Sequence, residues 1–113
     1  MIVVNRRGEL EAIIEQRIKE QGPNCDLNDI DVSEVEDMSF LFHGSKFNGD
    51  ISKWDTSKVV SMYHMFDSSP FTGDISKWDT SRVKDMSYMF TYSKFNGDIS
   101  EWDTSNVVDM NGM

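Results

Sequence analysis

The side chains with the most chemistry to offer in this chain recur at fixed intervals. Asp26, Asp50, Asp74 and Asp98 stand 24 residues apart, and so do Asp31, Asp55, Asp79 and Asp103. If segments stack with that period, equivalent carboxylates come close together, and like charges that near are unfavourable unless each is hydrogen-bonded or a cation intervenes. One reading is a calcium ladder over Asp50, Asp55, Asp74, Asp79, Asp98 and Asp103, since hard cations take carboxylate and carbonyl oxygens. The other is that each aspartate accepts backbone or hydroxyl protons, closing a turn or capping a helix. The second is preferred, because calcium-binding glycine-rich solenoids use a much shorter repeat with several glycines. This chain has one recurring glycine per repeat, at Gly49, Gly73 and Gly97, so no metal and no cofactor is assigned.

Other reactive groups are sparse. His43 and His64 are not repeat-equivalent, because the residues 24 places on are Asp67 and Tyr88, and neither has neighbours at metal-ligand spacing. A structural or solvated histidine is the expectation for both. There is no serine elbow, no phosphate-binding glycine loop and no His-Glu-x-x-His, so the chain reads as non-enzymatic. Cys25 is the only cysteine, which excludes an internal disulfide. Trp54, Trp78 and Trp102 could grip a sugar if exposed. Each lies three residues after Ile51, Ile75 or Ile99, with Ile30 in the first copy, and this suits an interior column better. Seven of the eight methionines fall at two repeat positions and read as core filling.

The elements that position these residues follow from the repeat. Phe-x-Gly-Asp-Ile-Ser-x-Trp-Asp-Thr-Ser begins at Phe47, Phe71 and Phe95, and Val-x-x-Met-x-x-Met follows at Val59, Val83 and Val107. The register extends backwards, pairing Asp26 with Asp50, Ile30 with Trp54, Val35 with Val59 and Met38 with Met62. A unit this short cannot bury its own apolar face and must stack on its neighbours. Asp50–Trp54 is expected as a brief strand, and Asp55-Thr56-Ser57 as the cap of a short helix burying Val59, Met62, Met65 and Phe66. Residues 1–24 read as a cap: a short strand at Ile2–Val4, then an amphipathic helix after Asn5 with Leu10, Ile13, Ile14 and Ile18 inward, ended by Gly22-Pro23. Residues 25–113 read as four coils, framed as 23–46 (degenerate), 47–70, 71–94 and 95–113. The expected fold class is an α/β repeat: a leucine-rich-repeat-like right-handed solenoid with short parallel strands, short helices and an N-terminal helical cap.

Charge narrows the partners. Eleven basic against 20 acidic residues leave a net charge of -9, which repels nucleic acid and anionic membrane surfaces. Counting by copy, residues 71–94 carry four basic and three acidic groups, whereas 95–113 carry no basic and four acidic ones. The opening Met-Ile-Val-Val-Asn-Arg-Arg runs opposite to a secretory signal, and no stretch is long and apolar enough to span a membrane. Met113 falls one residue short of the Phe that closes the matching stretch at Phe66 and Phe90, the pattern expected of a piece of a longer array. Phe95, Ile99, Trp102 and Met110 should then lie on an open face, through which self-association, or else fraying of the last coil, is expected.

The string Gly-Asp-Ile-Ser-x-Trp-Asp-Thr-Ser-x-Val-x-x-Met-x-x-Met-Phe, at 49–66 and 73–90, resembles the bacterial surface protein repeat of unknown function, a leucine-rich-repeat-like module of surface proteins and lipoproteins. The likeness covers about residues 25–113. It implies a secreted or surface-displayed protein used for adhesion or partner binding, with no catalytic residues to carry over.

Specificity should then be written where otherwise identical copies differ. Those positions are Lys53, Lys77 and Glu101; Lys58, Arg82 and Asn106; Val60, Lys84 and Val108; and His64, Tyr88 and Gly112. The candidate interaction surface is therefore Lys53, Lys58, His64, Lys77, Arg82, Lys84 and Tyr88, facing a protein partner or host surface. The competing readings are a structural spacer and a calcium- or carbohydrate-binding module.

Overall fold

The structure, a computed structural model, describes residues 2–113. Strand β1 (Ile2–Val3) leads into helix α1 (Arg7–Gln21), and strand β2 (Ile30–Asp31) pairs with β1 in parallel, Ile2 opposite Ile30 and Val3 opposite Asp31. Residues 25–113 are otherwise built of turns, and α1 is the one α-helix among the described residues.

The expected strand at Asp50–Trp54 is a turn. Asp50 Oδ1 accepts the Ser52 amide at 2.9 Å and its hydroxyl at 2.7 Å, and the Trp54 amide then donates to Ile51 O at 3.2 Å. Such local side-chain bonds offer the backbone an alternative to a ladder. The expected helix over Val59–Phe66 is also absent. His64 and Ser68 have φ of 54° and 58°, and the equivalent residues Phe40, Gly44, Tyr88, Tyr92 and Gly112 are likewise left-handed. A left-handed residue at every fourth place stops a helix within one turn, at about 1–2 kcal/mol for each non-glycine.

The amides released from that helix bond to the next copy instead. Met62, His64, Phe66 and Ser68 donate to the carbonyls of Asp85, Ser87, Met89 and Thr91 at 2.8–3.1 Å, just as Met38, Phe40, Phe42 and Gly44 donate to Ser61, Tyr63, Met65 and Asp67. Isolated parallel bridges link Asp37, Ser61, Asp85 and Asp109 in one column. Each copy thus lies against the next with its equivalent residues in register.

Side chains pack in the same register. Phe42, Phe66 and Phe90 stack at 5.5 and 5.7 Å between centroids; Phe47, Phe71 and Phe95 at 6.0 and 6.2 Å; Trp54 and Trp78 at 6.3 Å. Val59, Met62, Met65, Val83, Met86 and Met89 are fully buried among them. Removing such side chains from water contributes about 1.5–3 kcal/mol each. The indoles are interior, and their Nε1–H groups donate to Leu27, Ile51 and Ile75 carbonyls at 2.9–3.0 Å, so no buried donor is orphaned. Gly49 is required by close approach: a Cβ there would lie 1.8 Å from Cys25 O.

The N-terminal segment covers the first copy. Leu10 and Ile14 of α1 are buried on it, with Ile13 and Ile18 half-buried. Arg6, not Asn5, precedes the helix, and no side chain caps it; Gly22 ends it with φ 87° and its amide on Ile18 O at 2.8 Å. Backbone groups of the first copy are met as well. Arg7 donates to Ser39 O at 3.1 Å, Arg17 to Asp26 O at 3.2 Å, and the Ile2 and Val4 amides reach Asp29 and Asp31 carbonyls.

Candidate functional site

The residues that vary between copies fall into separate groups on the outside. The first is an aromatic ladder. Phe40, His64 and Tyr88 occupy one repeat position and stack face to face, at 4.8 Å and 6° for the first pair and 4.9 Å and 16° for the second. Tyr63 stands edge-on to the His64 ring at 4.2 Å, and His43 packs against Phe40 and His64. Phe40 and Tyr88 are each 39% exposed. All three rungs sit on left-handed backbone, where glycine costs least and where the fourth copy has Gly112.

Beneath the ladder the structure gathers four residues, His43, His64, Asp67 and Ser68. The His64 Nδ1 to Asp67 Oδ2 distance is 2.6 Å, His43 Nε2 lies 3.9 Å from the same oxygen, and the Ser68 hydroxyl donates to Asp67 Oδ1 at 3.0 Å. Burial pushes the Asp67 carboxyl up, but the bonds from His64 and Ser68 and the nearby imidazoles outweigh it, so its pKa lies below the ordinary value. His64 is thus bonded within the fold, while no metal-ligand cluster forms around either histidine among the described residues. The signal was present: His43 and Asp67 share a repeat position, and Asp67 lies three residues after His64. Ser68 bonds to the carboxylate, and no imidazole stands against its hydroxyl as a base would.

The basic residues form a different group. Lys58 is tied to both carboxylate oxygens of Glu34 at 2.9 Å. Lys53, Lys77, Arg82 and Lys84 make no ion pair among the described residues, leaving their charges to solvent. Of the seven candidate surface residues, His64 and Tyr88 touch directly, while Lys58 is committed within the fold.

The aspartate columns are occupied by local bonds. Asp50, Asp55, Asp74, Asp79, Asp98 and Asp103 each accept the amide of the serine two residues on, at 2.9–3.0 Å. Bonds from Asn28 and Ser52 bring the Asp50 pKa down to about 2, and serine hydroxyl and amide bonds lower those of Asp74, Asp79, Asp98 and Asp103. Among the described residues, no three His, Cys, Asp or Glu side chains are arranged to hold a metal ion. Among the described residues, no helix is long and apolar enough to cross a membrane.

Comparison with known proteins places residues 12–113 in a family described as Mycoplasma protein of unknown function, DUF285. No curated protein and no solved structure matches the chain significantly.

Proposed function

This chain belongs to the Mycoplasma family of unknown function DUF285, and from that premise we propose that it is a non-enzymatic, surface-displayed or secreted module that binds a protein partner or host surface. Its fold, on this reading, is a right-handed solenoid of the leucine-rich-repeat kind, with coils made of turns and single parallel bridges. The in-register hydrogen bonds from copy to copy and the stacked Phe and Trp columns support it. The observation that carries the functional reading is the ladder of Phe40, His64 and Tyr88. Large aromatic side chains, 39% exposed at Phe40 and Tyr88 and 19% at His64, are kept on backbone that would be relaxed by glycine, and strain of about 1–3 kcal/mol per residue is typically retained where a surface is used. Aromatic side chains are also the ones enriched at the buried centres of interfaces. Lys53, Lys77, Arg82 and Lys84 supply a basic surround on an acidic molecule, suited to on-rate and orientation.

The test is adhesion of protein-coated beads to animal cell monolayers. Phe40→Gly, His64→Gly and Tyr88→Gly combined should abolish most adhesion, and Lys53→Ala with Lys77→Ala and Arg82→Ala should slow it and reduce its salt dependence. Adhesion unchanged in both variants, with near-native circular dichroism, contradicts the proposed surface.

A further inference from the structure

We propose that the aromatic ladder is a pH-dependent contact for an acidic polypeptide. His43 and His64, both set against the one buried carboxylate of Asp67, turn this face from negative to positive as pH falls through neutrality, and the positive form takes a carboxylate-rich segment of the partner. The inference rests on the ladder being a binding surface and adds the partner's chemistry and the condition under which it binds.

Asp67 is 8% exposed, and its oxygens are taken up inside the fold. Oδ2 lies 2.6 Å from His64 Nδ1 and 3.9 Å from His43 Nε2, while Oδ1 accepts the Ser68 hydroxyl at 3.0 Å. An ionised carboxylate only accepts, so the hydrogen of the His64 bond sits on Nδ1, and the proton that a histidine gains near neutrality goes to Nε2. That nitrogen has no hydrogen-bond partner among the described residues. The ring is held in place from both sides, with Phe40 of the first copy at 4.8 Å, Tyr88 of the third at 4.9 Å and Tyr63 edge-on at 4.2 Å. His43 packs on Phe40 and His64. The titratable groups facing the two imidazoles are thus each other, Asp67, Tyr63 and Tyr88. No lysine, arginine or second carboxylate stands at ion-pair distance from either ring among the described residues.

The charge of the cluster follows by counting. Burial pushes the Asp67 carboxyl up, but the bonds from His64 and Ser68 outweigh it, so it stays ionised across the neutral range. With both imidazoles neutral the cluster carries one negative charge, and with both protonated it carries one positive charge. An acidic segment is repelled by the first state and attracted by the second. The copies that bear His64 and Tyr88 suit such a partner although the whole chain is acidic. Their Lys53, Lys77, Arg82 and Lys84 are exposed and make no ion pair among the described residues, and residues 71–94 carry four basic against three acidic groups.

Binding of fluorescein-labelled polyaspartate to the 113-residue chain, read by fluorescence anisotropy at low salt, tests this. Affinity should rise about tenfold from about pH 8 to about pH 5.5. His43→Gln combined with His64→Gln should hold it at the alkaline level throughout. Asp67→Asn removes the negative charge and should bind more tightly than the unmutated chain at both ends of the range, whereas a merely structural role for Asp67 would weaken binding. The unmutated profile decides even if a variant fails to fold: no binding at any pH, or affinity that is flat or falls on acidification, overturns the proposal. A rise kept by the double glutamine variant, with native circular dichroism, overturns it as well. Adhesion to cell monolayers separates the premises. Adhesion lost in the combined Phe40→Gly, His64→Gly and Tyr88→Gly variant but indifferent to pH in the unmutated chain defeats this proposal and leaves the binding surface standing; adhesion unchanged in that variant defeats the surface itself.

Discussion

At the first copy, the carbonyls of Asp26 and Ser39 meet two arginines, β1 supplies a neighbouring strand, and Leu10 and Ile14 seal the apolar face. At the fourth copy, Val108 O, Met110 N and Gly112 N, whose equivalents Glu36 O, Met38 N and Phe40 N in the first copy are paired with the second, have no partner among the described residues, and Val108 is 86% exposed. Residues of the same type therefore differ in burial according to what lies beyond them. A coil of this repeat contributes little on its own; its stability comes from the interface with its neighbour.

The largest effect that could break the comparison is a pair of truncations at one repeat position. Met62→Ala, in a site with no solvent exposure, should cost about 2–5 kcal/mol in chemical denaturation. Met110→Ala, 45% exposed, should cost under about 0.5 kcal/mol. Similar losses at both sites would mean that burial does not grade from the covered copies to the open one.

The cap comes next. Arg7→Ala removes the bond to Ser39 O and the pairs with Glu11 and Asp37, and because Arg7 is over a third exposed the cost should be only about 0.5–1 kcal/mol. Val108→Ala at the opposite edge serves as the control and should leave the melting temperature unchanged. An equal effect from the two would remove the distinction between a sealed and an open edge.

Acid should sharpen the same picture more gently. Asp31, Asp50, Asp67, Asp74, Asp79, Asp98 and Asp103 have carboxyl pKa values below their ordinary value of 3.8: at Asp50 through Asn28 first and then Ser52, at Asp67 through His64 and Ser68 against an opposing push from burial, and at the others through serine bonds. A depressed folded pKa gives stability that is fully present above the unfolded value and is lost as pH falls through the folded one. The melting temperature should hold steady from neutral pH to about 4 and then decline toward pH 2, the Asp50 value, as the turns lose their acceptors. Stability that rises on acidification through that range would show the turns to be independent of the carboxylates.

The sequence made the period and the inward columns legible, because Val59, Met62 and Met65 recur as apolar residues at the same places in every copy, and Phe66 in the first three. It did not reveal the turns. The left-handed positions are signposted by glycine only at Gly44 and Gly112, while Phe40, His64, Ser68, Tyr88 and Tyr92 hide the same geometry behind residues that ordinarily avoid it. Spacings of three and four at Val59–Phe66 fit a helix stripe and a turn stack equally well. The hydrogen bonds that decide between them lie in the next copy, beyond the reach of local propensity. The ladder's rungs were singled out only as varying positions. Their mutual contact, and that of His43 with Asp67, became visible when residues 24 apart were set side by side.

The most direct measurement is amide hydrogen exchange on dilute, monomeric protein, resolved to single residues. The amides of Met38, Met62 and Met86, which donate to carbonyls of the following copy at 2.9–3.0 Å, should exchange slowly, as should those of Phe40, His64 and Tyr88. Met110 and Gly112, at the same repeat positions, should exchange freely. Rapid exchange at Met62 and His64, or protection at Met110 equal to that at Met62, would contradict an architecture held together copy by copy.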